Sequence, residues 1–206
     1  MISATAVKEL RELSGAGMMD CKKALQEAEG DIKKAMEVLR KNGIAKAQKK
    51  VGRSASDGVV IPYIHPGSKL GVLLEVNCET DFVARTEGFQ DFCKDVAMHI
   101  AAASPMTVLR EELSEEVIET EKNIFRDQSK KSGKPDEIIE KMIDGRMNKF
   151  YQENVLMEQS FVKNPDLSIN DLLTETIAKL GENISIARFS RYQLGETAAP
   201  QTESTE

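Results

Sequence analysis

The stretch Leu70–Arg85, LGVLLEVNCETDFVAR, changes its period within a few residues. Leu70, Val72, Leu74, Val76 and Cys78 share one face, with Glu75 and Asn77 on the other, which is the alternation of a half-buried strand. Beyond it the apolar residues take helical spacing: Phe89, Phe92, Val96 and Ile100 form one stripe, and Pro105 follows, which predicts a helix over 81–103. Thr80 or Asp81 can cap that helix by accepting from a free N–H, and an acid there suits the helix dipole. A strand thus hands over to a helix with almost no loop. Asp81 and Phe82 fall in the first turn. They read either as a cap beside a core phenylalanine, or as an acid and an aromatic held out rigidly for a partner.

Upstream, VVIPYI within Gly58–His65 is rich in strand formers, and Pro62, lacking an N–H, assigns it to an edge or a bulge. Pro66-Gly67-Ser68-Lys69 turns it into the strand at Leu70–Cys78. Downstream, two helices over 115–132 and 135–151 are joined at Ser132-Gly133-Lys134-Pro135 and read as an antiparallel helical hairpin. Their stripes are Val117, Ile118, Ile124 and Phe125, then Ile139, Met142, Ile143 and Phe150. A loop around Asn164-Pro165-Asp166 leads to Ser168 and Asp171, a capping-box-like start for a helix presenting Leu172, Leu173, Ile177 and Leu180. Gly181 ends that helix, and Asn183–Leu194 alternates as a last strand. The expected fold is α+β, with a small antiparallel sheet, flanking helices and the hairpin at 115–151.

Residues 1–43 read as three short helices. Val7, Leu10 and Leu13 mark the first, and Gly15 and Gly17 break it. Cys21, Leu25 and Ala28 mark the second. Asp31 caps a third that carries Ile32, Met36 and Leu39, with Gly43 placed just past its end. So few large apolar groups make a marginal core, as in modules built to bind another protein. Met18 and Met19 are the exposed candidates, with inward packing between the helices as the alternative.

Charge divides the chain near residue 53. Of 206 residues, 28 are Lys or Arg and 34 Asp or Glu, a net charge of −6. Residues 1–53 carry a net +5, and Arg40–Arg53 (RKNGIAKAQKKVGR) holds six positive residues and no acid. The expected organisation is a docking module over 1–43, a basic connector over 44–56, a core over 57–194 and a disordered acidic tail over 195–206.

The composition is that of a soluble globular protein. It has no apolar run long enough for a membrane span and no signal-peptide stretch, so a cytoplasmic location is expected. Three scattered cysteines, Cys21, Cys78 and Cys93, support neither a disulfide framework nor a zinc site. With two histidines, His65 and His99, and no nucleotide, metalloprotease or hydrolase motif, an enzyme is not expected. No cysteine has a nearby histidine, so each reads as a buried structural thiol.

EVNCETDFVAR resembles one signature of the elongation factor Ts family, the guanine-nucleotide exchange factors of elongation factor Tu, and LRELSGAGMMDCKKAL (Leu10–Leu25) resembles the other. The likeness continues through KSGKPDEIIEKMIDGRMNKFYQENVLMEQSFVK and RFSRYQLGE, and leaves out only the last ten or so residues. Ser14 stands where the family has threonine, a small departure because both hydroxyls can cap. The resemblance implies that residues 1–43 form a ubiquitin-associated-like three-helix module that docks on elongation factor Tu. It implies that Thr80, Asp81, Phe82 and Val83 insert near the partner's magnesium ion, with Phe82 as the wedge and Asp81 engaging the displaced element. It moves Met18 and Met19 toward a docking role. His99, in Ala97-Met98-His99-Ile100-Ala101, resembles a partner-contacting position, with a satisfied structural histidine as the equal alternative. His65, in a turn, reads as solvated.

No cofactor or metal of its own is implied. The partner is expected both GDP-bound and nucleotide-free. The strand material suffices for one core subdomain, the short form of the family, which implies a homodimer through the Asn183–Leu194 strand or the helical hairpin. Two other classes compete. The basic connector points to RNA binding, but it lacks interleaved aromatics and the remaining chain is acidic, so no direct nucleic-acid contact is expected. A ubiquitin-associated-type adaptor without exchange activity would need only residues 1–43.

Overall fold

A computed structural model describes residues 2–130 and 135–197. The Ser132-Gly133-Lys134 part of the expected turn, and residues 198–206 of the expected tail, lie outside the described residues. The helices are α1 (Ala4–Ser14), α2 (Met18–Glu27), α3 (Ile32–Gln48), α4 (Asp81–Ala84), α5 (Glu87–Ala103), α6 (Glu115–Lys130), α7 (Asp136–Asn154) and α8 (Ile169–Leu180). The strands are β1 (Asp57–Ile64), β2 (Leu70–Cys78), β3 (Ser160–Phe161), β4 (Asn164–Ser168) and β5 (Ile184–Gln193). The fold is α+β, as the alternation of periods predicts.

The main sheet has the order β1-β2-β5. The amide of His65 donates to the carbonyl of Leu70 at 2.9 Å, closing the β1–β2 hairpin, and that of Leu194 donates to Lys69 at 2.8 Å. Pro62 lies on edge strand β1, where no ladder bond is lost. On β2 the expected alternation holds: Val72, Leu74, Val76 and Cys78 are buried and Leu73 is exposed. Gly58 on β1 has φ +143°, and a Cβ there would lie 2.2 Å from the Val76 carbonyl oxygen, so only glycine allows this approach.

The described residues divide into two compact units. The first comprises the chain up to Val59, with Val76–Phe92 and Ile169–Ser185. In it α1, α2 and α3 enclose Leu10, Cys21, Ala24, Leu25, Ala28 and Ala35, with Ile2, Val7, Ile32 and Leu39 packed around them. Ser3 and Asp31 cap α1 and α3, and Gly15 ends α1 in the left-handed region at φ +65°. Three expectations are corrected here. Leu13 and Met36 are exposed, because Leu10 and Leu25 with smaller residues already fill this small core. Gly43 does not stop α3, which continues to Gln48 and packs on α8. A Cβ at Gly43 would sit 3.2 Å from that of Ala178, so the glycine serves close helix packing.

The second unit comprises Val60–Glu75, Cys93–Ser168 and the chain from Ile186. Helices α6 and α7 form the expected hairpin around Ile139, Ile143 and Met147, with Ile118, Phe125, Phe150 and Tyr151 against them. The Arg110 guanidinium lies 4.2 Å from the Tyr151 ring centroid and pairs with Glu158. The loop expected around Asn164-Pro165-Asp166 is instead strand β4, paired antiparallel with β3 through Ser160↔Ser168 and Phe161↔Asn164. Its partner β3, two residues long, is too short to leave a periodic signal. Among the described residues no helix is long and apolar enough to cross a membrane.

Candidate partner-binding site

The helix expected over 81–103 is two helices. It breaks at Arg85-Thr86, where the Thr86 hydroxyl donates to Val83 O at 2.7 Å and accepts from the Phe89 amide at 3.4 Å, restarting the chain as α5. Gln90 reaches back to Ala84 O at 2.7 Å. The first piece, α4, is four residues long, starting from Thr80, whose hydroxyl accepts from the Val83 amide at 3.4 Å. Thr80 is therefore the cap. Asp81 forms an ion pair with Arg85 at 2.8 Å. Phe82 is 79% exposed, so it is not a core residue. The phenylalanines that do bury are Phe89 and Phe92, further along the chain on α5.

Four residues cannot form a stable helix alone, and an exposed ring brings no burial energy. Bonds at the start of the segment hold it instead. The Glu182 carboxylate accepts from the Thr80 amide at 3.0 Å and from its hydroxyl at 2.6 Å. The Glu79 carboxylate accepts from the Asn183 amide at 2.7 Å, and the Cys78 thiol donates to Thr80 O at 3.2 Å. Burial, and next the Glu182 charge, hold that thiol above the usual range, so it stays a proton donor. Glu182 and Asn183 were not legible in the sequence, since a bond across 102 residues leaves no spacing signal. Thr86, a cap-forming residue before an acid, could have been found.

In the same unit Met18 and Met19 open α2 and are 59% and 63% exposed, so they do not pack inward. A groove of about 650 Å³ between α1, α3 and α8 is lined by Leu13, Met36, Ile44 and Ala178 under a rim of mixed charge. His99, in the second unit, is fully buried. Its Nδ1 accepts from the Val162 amide at 3.3 Å, so Nε2 carries the proton and donates to Gln159 Oε1 at 2.9 Å. Gln159 in turn donates to Glu153 O at 2.7 Å. Burial lowers the His99 pKa, opposed by the Gln159 bond. His65 is exposed beside the Tyr63 hydroxyl. Among the described residues no group of three or more His, Cys, Asp or Glu side chains could hold a metal ion.

The family model described as "Elongation factor TS" matches residues 2–196, including both signatures and the clamped segment. The chain belongs to the elongation factor Ts family. It is 57% identical over 203 residues to the elongation factor Ts of Carboxydothermus hydrogenoformans, covering 98% of this chain and 94% of the relative. It is 60% identical over 195 residues to that of Geotalea daltonii, covering 95% and 90%, and 57% identical over 196 residues to that of Thermosipho melanesiensis, covering 95% and 100%. Like the elongation factor Ts proteins it matches, this chain is a translation elongation factor.

Proposed function

We propose that this protein is a guanine-nucleotide exchange factor that binds elongation factor Tu·GDP, displaces its magnesium ion and speeds GDP release so that GTP can bind. The observation that carries the reading is Phe82: a phenylalanine left in water on a short helix whose start is fixed. GDP is held through its phosphates by a metal ion and backbone amides, and moving those elements weakens the hold without any covalent step. Phe82 is the wedge, Asp81 engages the element it displaces, and Thr80 and Val83 complete the segment. The exposed Met18 and Met19 supply docking contact. His99, with no exposed surface, contributes through the Val162 backbone it holds. No cofactor or catalytic residue is invoked. By linkage, the factor by which the exchanger weakens nucleotide binding is the factor by which nucleotide expels the exchanger.

Two further parts of the reading have their own support. Val60, Ile64, Leu73 and Tyr192 alternate outward on β1, β2 and β5 and are exposed, a sheet face suited to pairing with a second copy. Leu73→Lys should then shift the protein to monomer in sedimentation. In the basic run, Lys46 is paired with Asp20 at 2.7 Å and Arg53 with Glu79 at 3.7 Å, so part of its charge is matched internally, which favours a protein partner over RNA.

The test is release of a fluorescent GDP analogue from elongation factor Tu, chased with excess GDP. The protein should accelerate release, and Phe82→Ala should cut the acceleration roughly 30-fold, the cost of losing an interface hot spot of about 2 kcal/mol. Acceleration that survives the substitution moves the mechanism to Asp81 or to α2. No acceleration by folded protein sinks the exchange reading in favour of the adaptor.

A further inference from the structure

We infer that Glu182 is a positioning residue for the wedge: its carboxylate clamps Thr80 and so fixes where Asp81 and Phe82 are presented. The consequence for exchange rests on the reading above, whereas the clamp itself rests on the geometry of the first unit.

A carboxylate can only accept, and both donors of Thr80 meet this one, the amide at Oε2 and the hydroxyl at Oε1. The hydroxyl proton is thereby committed to Glu182. Its oxygen is left as a pure acceptor, which is the role the Val83 amide requires of it. One acid therefore sets both the rotamer of the capping residue and the direction of its cap bond. The partner bond runs the other way, from the Asn183 amide to Glu79, so residues 79–80 and 182–183 exchange carboxylate–amide bonds like a two-pronged buckle. The Asn183 side chain extends the buckle by donating to Arg53 O at 2.8 Å. Gly181, at φ +79°, turns the chain out of α8 just before Glu182. Of the side chains in α4 only Ala84 is buried, so hydrophobic packing gives Phe82 no fixed position of its own.

The test uses the full chain as wild type, Glu182→Ala, Glu182→Gln, Phe82→Ala and the double variant Phe82→Ala/Glu182→Ala. Stimulated GDP release is followed against exchanger concentration, and amide hydrogen exchange is followed over residues 80–83. Glu182→Ala should lower the maximal stimulated rate about tenfold, the effect of losing a charge-assisted hydrogen bond. The half-saturating concentration should stay unchanged, because Met18 and Met19 are untouched. Glu182→Gln, which keeps the size and one acceptor oxygen, should fall between. The double variant should be no slower than Phe82→Ala, since the clamp acts through that ring, and the Thr80 and Val83 amides should lose protection in Glu182→Ala.

Three results would overturn the inference: a raised half-saturating concentration at full maximal rate, losses that multiply in the double variant, or unchanged protection at residues 80–83. If wild type fails to speed GDP release, the exchange reading falls, while lost protection in Glu182→Ala still upholds the clamp.

Discussion

Phe82 and Phe89 sit in consecutive helices and have opposite fates: one is 79% exposed, the other fully buried. Composition does not separate them, since both are phenylalanines in a helical stretch. What separates them is the break at Arg85-Thr86, which lets α5 roll its stripe inward while α4 keeps its own orientation. Burial sets the position of Phe89, and hydrogen bonds around Thr80 set that of Phe82. The contrast teaches that the backbone under a surface aromatic can be placed by hydrogen bonds where a core aromatic is placed by burial.

The largest effect that could break this comparison is on stability. Phe89→Ala should cost about 3–5 kcal/mol in urea unfolding, as for other buried phenylalanines, whereas Phe82→Ala should stay within about 0.5 kcal/mol of wild type. A comparable cost at Phe82 would mean that the ring packs in solution and the contrast is false.

A buried polar ring gives an intermediate effect. His99 is held neutral by burial, so its folded pKa lies below the ordinary 6.5. The unfolded chain then binds the proton more readily, and its share of stability is complete above pH 6.5 and falls as the medium is acidified toward the folded pKa. The loss is at most about 1.4 kcal/mol per pH unit. Unfolding curves at pH 7.5 and 5.5 should show it, with a flatter dependence in His99→Gln. An equal slope in that variant would assign the loss to other groups.

The smallest effect is at Arg85, whose ion pair with Asp81 is largely solvated. Arg85→Ala should change stability by less than about 0.5 kcal/mol, and a larger loss in thermal unfolding would show that α4 depends on this pair and not on its cap.

The two regions also differ in how much of them could be read from the chain. The strand at Leu70–Cys78 and the stripe from Phe89 to Ile100 follow from periodicity, because burial on one face imposes it. Phe82 left two readings open, and its exposure removes the one in which it is a core residue. The helix break leaves one sequence signal, the cap-forming Thr86 ahead of Glu87, set within residues that otherwise continue a helical pattern. Leu13 and Met36 look like core residues until the small volume of the bundle core is known. Glu182 could not be inferred from any local window, since its partner is fixed by the return of the chain through α8.

The unbroken run of α3 through Gly43 has a consequence for how two contacts can be made together. Two binding groups joined by a floppy tether find their targets at an effective concentration set by the tether's length, and each must lose its own freedom. Here the 17-residue α3, about 26 Å long at 1.5 Å per residue, runs out of the bundle and takes up residues 44–48 of the expected 44–56 connector. It leads from the bundle that carries Met18 and Met19 to α8, and Glu182 lies two residues beyond the end of α8. On the proposed function, methionines that had landed would leave the phenylalanine to approach along a strut, with little search left to make.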